Sequence, residues 1–273
     1  MPLVDMTASG GGSPSVTVLE TWDATSDLTS LTITSAGTST LYAADGSTPR
    51  ASLVVTVVGN VAAGWALDCD SSASPPILLS GVEWTGAGMG GYVSVQVEPV
   101  FSASPDWARD RWFAEALFSA VALNGDSGTN PELIRVGMAP AGTIVQESGA
   151  VDISCWDNGG SYTWHRETWD DSDTDTAAYT AAPSSSIALL CDSLHSRLAI
   201  DNGGTSFASD LTSAGPWDVD TVGQGQIASG DDTSAGSYST GLGIMLHGWS
   251  KYTGDGIKIG LSKIKISVGA PKE

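Results

Sequence analysis

The segment Ile257-Lys258-Ile259-Gly260-Leu261-Ser262-Lys263-Ile264-Lys265-Ile266-Ser267-Val268 carries the clearest secondary-structure signal in the chain. Ile257, Ile259 and Leu261 alternate with Lys258 and Gly260, the period of two that gives a strand one apolar and one polar face. The phase then reverses, because Ile264, Ile266 and Val268 fall on even positions. A strand cannot change face in mid-run without an extra residue, so this pattern predicts a β-bulge near Ser262–Lys263. The segment reads as the closing strand of an antiparallel sheet. It also lies in the basic part of the chain, since the five lysines are Lys251, Lys258, Lys263, Lys265 and Lys272.

Outward from this strand, short apolar or alternating runs recur between Gly, Asn, Asp and Pro signals. They are Ser15–Trp22, Leu28–Ile33, Thr38–Tyr42, Leu53–Val58, Trp65–Leu67, Ile77–Trp84, Tyr92–Val97, Leu133–Met138, Thr143–Val145, Val151–Trp156, Ser161–Glu167, Ile187–Leu190, Arg197–Asp201 and Leu242–Trp249. In Tyr92–Val97 the residues Val93, Val95 and Val97 share one face, with Ser94, Gln96 and Glu98 opposite. Strands at this spacing predict an all-β fold, an antiparallel β-sandwich of jelly-roll or concanavalin A-like type. One segment admits two readings. Ser104-Pro105-Asp106 has helix-start chemistry, and Phe113, Ala116, Leu117, Ala120 and Val121 follow helical spacing, which predicts a short helix within 105–123. The same run is apolar at nearly every position from Trp112 to Leu123, as a buried central strand would be.

Residues 1–14, with Gly10–Gly12 and Pro14, read as a flexible arm, and no composition shift divides 15–273, which is expected to form a single domain. Thirty-one acidic against eleven basic residues leave a net charge of −20, which repels polyanions and anionic bilayers, so nucleic acid and membrane insertion are not expected. No apolar run approaches the ~20 residues needed to cross a bilayer, and the N-terminus lacks the basic and apolar regions of a secretory signal. Cys69, Cys155 and Cys191 are odd in number and widely spaced, which predicts free thiols rather than a disulfide framework.

Chemistry-bearing motifs are few. Asp170-Asp171-Ser172-Asp173-Thr174-Asp175 crowds carboxylates on one loop, and Asp171, Asp173 and Asp175 are candidate calcium ligands, although Thr176 and Ala182 break the EF-hand pattern. A solvated acidic loop, with no cofactor, is the competing expectation. The Glu residues never come closer than the fifteen positions between Glu83 and Glu98, so the paired carboxylates of a sandwich glucanase strand are missing. The three histidines all follow Gly125-Asp126-Ser127-Gly128, the reverse of the order in chymotrypsin-like proteases, and no enzymatic role is expected. Ten Trp against four Phe is unusual, and Trp156, Trp164 and Trp169 flank one turn, which makes them candidates for stacking on sugar rings. Lys258, Lys263 and Lys265 are candidates for a contact with an acidic neighbouring subunit.

Two resemblances sharpen these expectations. His195-Ser196-Arg197-Leu198-Ala199-Ile200-Asp201-Asn202-Gly203, Gly241-Leu242-Gly243-Ile244 and Asp255-Gly256-Ile257-Lys258-Ile259-Gly260 are similar to the late strands of the laminin G and concanavalin A-like sandwich group. Neither that group's catalytic carboxylates nor its metal loop is present, so it implies a fold and no site. The lysine-poor, Gly/Ser/Thr-rich chain without a signal peptide resembles in composition the structural proteins of tailed bacteriophages. That implies a non-enzymatic virion component: a capsid decoration, tail or fibre-associated protein made in the host cytoplasm. Its expected partners are copies of itself and other virion proteins. The second implied function is lectin-like binding of cell-surface glycans, with or without calcium.

Overall fold

The computed structural model describes residues 17–24, 27–61, 64–82, 91–107, 110, 112–124, 132–142, 151–157, 162–168, 179–180, 186–192, 241–249 and 256–268. Every regular element among them is a β-strand. In chain order these are β1 (Thr17–Asp23), β2 (Leu31–Ile33), β3 (Gly37–Tyr42), β4 (Pro49–Val58), β5 (Ala66–Cys69), β6 (Ile77–Ser80), β7 (Tyr92–Pro99) and β8 (Trp112–Asn124). There follow β9 (Glu132–Pro140), β10 (Val151–Asp157), β11 (Tyr162–Thr168), β12 (Tyr179–Thr180), β13 (Ser186–Asp192), β14 (Leu242–Trp249) and β15 (Gly256–Val268). The arm predicted for 1–14, the strands predicted at Thr143–Val145 and Arg197–Asp201, and the first of the sandwich-like motifs lie outside the described residues.

Two antiparallel sheets form a β-sandwich. One runs β13-β8-β15-β6-β5-β2, with β1 also paired to β15; the other runs β12-β11-β10-β9-β14-β7-β4-β3. Their inner faces meet in one apolar core. Leu53 and Val55, Val93 to Val97 at alternate positions, Ile244 and Leu246 line it from the second sheet, and Trp112, Phe118, Ile257, Ile259 and Ile266 from the first. Alternation within each strand dictates which residues go inward, as in Ala51, Leu53 and Val55 of β4, buried between the half-buried Ser52, Val54 and Thr56.

β15 has the predicted phase reversal. Leu261 opposes Phe118 and Lys263 opposes Leu117, so Ser262 is the extra residue of a bulge. Ile257, Ile259 and Leu261 before it and Ile264 and Ile266 after it are all fully buried, whereas Lys258 and Lys263 are exposed. The bulge also marks a change of neighbour. Lys258–Leu261 pair with β6, Lys263–Val268 pair with β1, and the Ser262 carbonyl accepts a hydrogen bond from Ala24 N at 3.0 Å. β15 is therefore an interior strand, paired with β8 along its whole length and with β6 and then β1 on its other edge. At Gly260 a side chain would run into the Pro75 ring and come within 2.8 Å of the Ile77 carbonyl, so this strand position takes glycine to let the loop close over it.

The helix predicted within 105–123 is not formed. Trp112–Asn124 is β8, an interior strand between β13 and β15, and its buried residues Trp112, Ala114, Ala116 and Phe118 keep a strict period of two. In a run where almost every residue is apolar, helical and strand spacings are both satisfied, and pairing on two edges decides between them. The helix-start chemistry is real but yields a single turn. Asp110 N donates to Asp106 O, and Asp106 N donates to the Asp110 carboxylate, each at 2.8 Å.

Candidate functional site

The lysine cluster lies on the outer face of the seven-stranded sheet. Lys263 Nζ sits 3.6 Å from the Asp23 carboxylate across the β1–β15 pair, a half-exposed ion pair of the kind that adds little stability. Lys265 is opposite Glu115 in the β8–β15 register, and Lys258 is opposite Ser80. The tryptophan candidates separate. Trp156 pairs with Thr163 and Trp164 with Cys155, adjacent register positions that alternate faces, so Trp156 and Trp164 belong to opposite faces of the eight-stranded sheet. Trp169 and the candidate calcium ligands Asp171, Asp173 and Asp175 lie outside the described residues. Among the described residues no group of three His, Cys, Asp or Glu is placed to hold a metal ion. Cys69 is buried, and desolvation followed by the charge of Asp68 pushes its thiol up to about 12, which leaves it inert.

The outer face of the eight-stranded sheet collects chemistry that the linear sequence disperses. Strand register aligns His165, Ser154, Arg135, His247, Ser94 and Thr56 in one row across β11, β10, β9, β14, β7 and β4. In the next row towards one end of the sheet, Trp249 is opposite Tyr92, and Tyr92 is opposite Val58. Alternation along β10 puts Trp156 on this same face and at this same end, paired with Glu132. Three inter-strand steps separate β10 from β7, so the aromatic positions span roughly 14 Å.

The described side chains of this row are packed together. Arg135, His247, Ser94 and Gln96 are all buried, and the Tyr92 ring, half-buried, stacks on the His247 imidazole with centroids 4.1 Å apart and planes at 28°. Gln96 donates to the Pro140 carbonyl at 3.2 Å and fills the space a side chain at Gly243 would need, locking β7 to the β9 end. Glu98 accepts a hydrogen bond from Gly142 N at 2.8 Å at that far end. Burial, then the Arg135 guanidinium, brings His247 down to about 3, so it is a neutral imidazole at ordinary pH. Burial, opposed by Arg135, raises Tyr92 above its usual value, so the phenol keeps its proton. This is a buried layer of neutral and hydrogen-bonding groups around the Arg135 guanidinium, with the Tyr92 ring half-buried beside it.

A depressed histidine carries a pH signature. Between the folded value of about 3 and the unfolded value near 6.5 the unfolded chain binds the extra proton, so stability falls as pH drops through that window and is unaffected above it. The expected slope approaches ~1.4 kcal/mol per pH unit. Urea unfolding at pH 7, 6, 5 and 4 should show this loss, and His247→Gln, less stable at pH 7, should show a flatter dependence. Parallel slopes in the two proteins would contradict the assignment.

Tyr92, Arg135, His247 and Trp249 are not singled out by sequence. The signal is present in part: alternation in 92–97 already sets Ser94 and Gln96 opposite the valines, and Tyr92 is the next position on their face. What sequence lacks is the pairing of β7 with β14, some 150 residues later.

No protein-family model and no curated protein matches the chain. Among solved structures, the CBM2 module of the evolved Dit of Lactobacillus casei BL23 phage J-1 is similar to it at TM-score 0.42 and 11% identity, covering 96% of this chain and 100% of that one. Botulinum neurotoxin type C, which depends on interaction with two ganglioside molecules to enter cells, is similar at TM-score 0.36 and 10% identity. That likeness covers 83% of this chain and 44% of the toxin chain. At these values neither likeness carries a residue or a ligand across. The class the fold defines is an antiparallel β-sandwich of two sheets.

Proposed function

We propose that this chain is a non-enzymatic, glycan-binding β-sandwich borne on a phage particle. The observation that carries the reading is the convergence of Tyr92, Trp249 and Trp156 at one end of the outer face of the eight-stranded sheet. Tyr92 is stacked on a neutral His247 beneath it. A sugar ring offers C–H groups on one face and hydroxyls at its rim. It is recognised by stacking on aromatic rings together with a few fixed hydrogen-bonding groups. A pre-stacked tyrosine loses little conformational freedom when a ligand settles on it, which favours binding. A row spanning roughly 14 Å suits an oligosaccharide better than a single ring. Composition and charge support the particle setting.

The test is binding of the purified chain to arrays of bacterial cell-wall polysaccharides and animal-cell glycans. Tyr92→Ala and Trp249→Ala should each weaken binding about tenfold or more, the size of a contact at the centre of an interface. Lys258→Ala, on the outer face of the other sheet, should leave it unchanged. No product should appear when the bound glycan is incubated with the protein. Silence on the arrays, with the chain still sedimenting with particles, would overturn glycan binding. It would favour the second reading, a purely structural subunit. That reading draws on the exposed Lys258 and Lys263 as the basic contact of a −20 chain.

A further inference from the structure

One flank of the sandwich is built from an uncharged stretch. From Leu28 to Ala44 there is no ionisable acid or base other than the Tyr42 phenol, and the stretch is bounded by Asp27 and Asp45. It supplies the last strand of each sheet on that side: β2 ends the seven-stranded sheet and β3 the eight-stranded one. The Leu28–Ala43 bridge, with Thr29 N donating to Tyr42 O and Ala44 N to Asp27 O, covers only the C-terminal end of β3. Over Gly37–Leu41, among the described residues, β3 pairs with β4 and with nothing on its outer edge. Gly37, Thr38 and Thr40 are exposed.

Natural edge strands are protected by charges, prolines, bulges or shortness. β2 has three residues and β12 two, so both are too short to template a partner. The run Gly37–Leu41 carries no charge and no proline, and the irregularity in its pairing comes only after Leu41. We infer that β3 is a self-docking edge, and that its partner is the β3 of a second copy of this chain. Two features select a copy of itself. With a net charge of −20, two copies repel over most of their surfaces, and an exposed uncharged edge is where that repulsion is least. Thr38-Ser39-Thr40 also reads the same in both directions, so antiparallel pairing about a two-fold axis at Ser39 is self-complementary. Each Thr38 then opposes Thr40 of the other copy, a favourable cross-strand pair.

The two-fold axis of such a pair is perpendicular to the sheet. The two eight-stranded sheets become continuous, and both outer faces point the same way. The contact is a short ladder, below the area of a stable permanent interface, so it is expected to be weak in dilute solution and to depend on concentration. It is independent of what, if anything, the outer face binds.

Sedimentation equilibrium or light scattering on the whole chain from roughly 5 µM to 1 mM, a range suited to weak interfaces, tests it. The expected result is a rise of the weight-average mass from 27.9 kDa towards twice that value. Thr38→Glu with Thr40→Glu sets Glu against Glu twice across the axis and should hold the mass at the monomer value. Thr38→Lys with Thr40→Glu sets Lys against Glu twice and should restore the rise. Both pairs sit at exposed positions, and unchanged circular dichroism would show the fold intact. A wild-type chain that stays monomeric throughout, or a Glu/Glu variant that dimerises like the wild type, would overturn the proposal.

Discussion

Replacement of both Ile264 and Ile266 by lysine is expected to leave no folded protein. Both side chains are fully buried on the inward face of β15. Each buried, unpaired ammonium costs several kcal/mol, and each isoleucine removed from the core forfeits roughly 2 kcal/mol. Together these match the ~5–15 kcal/mol by which a domain is stable. Deletion of Ser262 is the opposite case. Lys263 then follows Leu261 directly, the strand alternates without a bulge, and Leu261, Ile264 and Ile266 keep their inward faces. The loss is the Ser262 carbonyl that receives Ala24 N, about 1 kcal/mol for one hydrogen bond, so this variant should fold. Circular dichroism and soluble yield of the two variants check this, and a double-lysine variant that melts like the wild type would show that these positions do not face the core.

Replacement of Trp22 by alanine should lower stability by about 3–5 kcal/mol, the usual cost of removing a large buried aromatic side chain. Trp22 is fully buried in β1 of one sheet, and its Nε1 donates to the Arg50 carbonyl of β4 in the other at 2.9 Å. The Arg50 guanidinium lies 5.8 Å from the centre of its ring, a cation–π distance. One side chain therefore ties the two sheets together at their margin. Loss of the hydrogen bond is the smaller part, because the Arg50 carbonyl also accepts from Val100 N at 2.8 Å and is not left bare. The larger part is the cavity. Trp22→Phe, which refills most of it, should recover over half of the loss. Denaturant unfolding of the three proteins decides the matter, and equal losses for Ala and Phe would shift the weight to the hydrogen bond.

Much of the fold is legible in the chain because strand alternation is local. The face pattern of 92–97, the strand at 242–249 and the bulge at Ser262 follow from which neighbouring residues are apolar, and the sheets keep each of them. The stretch 112–124 shows where that ends. Its residues suit a helix or a strand equally, and only β13 and β15 on either side of it supply the missing hydrogen bonds. The position of β15 is of the same kind. The sequence marks a strand near the chain end, and its interior place comes from β6 and β1 sharing one of its edges in succession.

The candidate site was less legible. Tryptophan richness points to stacking chemistry, but residues close in sequence, Trp156 and Trp164, are sent to opposite faces by a register that no local pattern reveals. Tyr92 and His247 lie 155 positions apart and meet because β7 and β14 are neighbours. The low proton affinity of His247 exists only once burial and Arg135 surround it. By itself the sequence determined strands such as 92–97 and 242–249, the inward face of 92–97 and the reversal in Ile257–Val268, since side-chain alternation is a property of a few consecutive residues. Tertiary structure alone decided which strands became neighbours, and with them the aromatic row, the neutral histidine and the uncharged flank. Those depend on hydrogen-bonded pairings between distant segments, chosen by how the whole core packs.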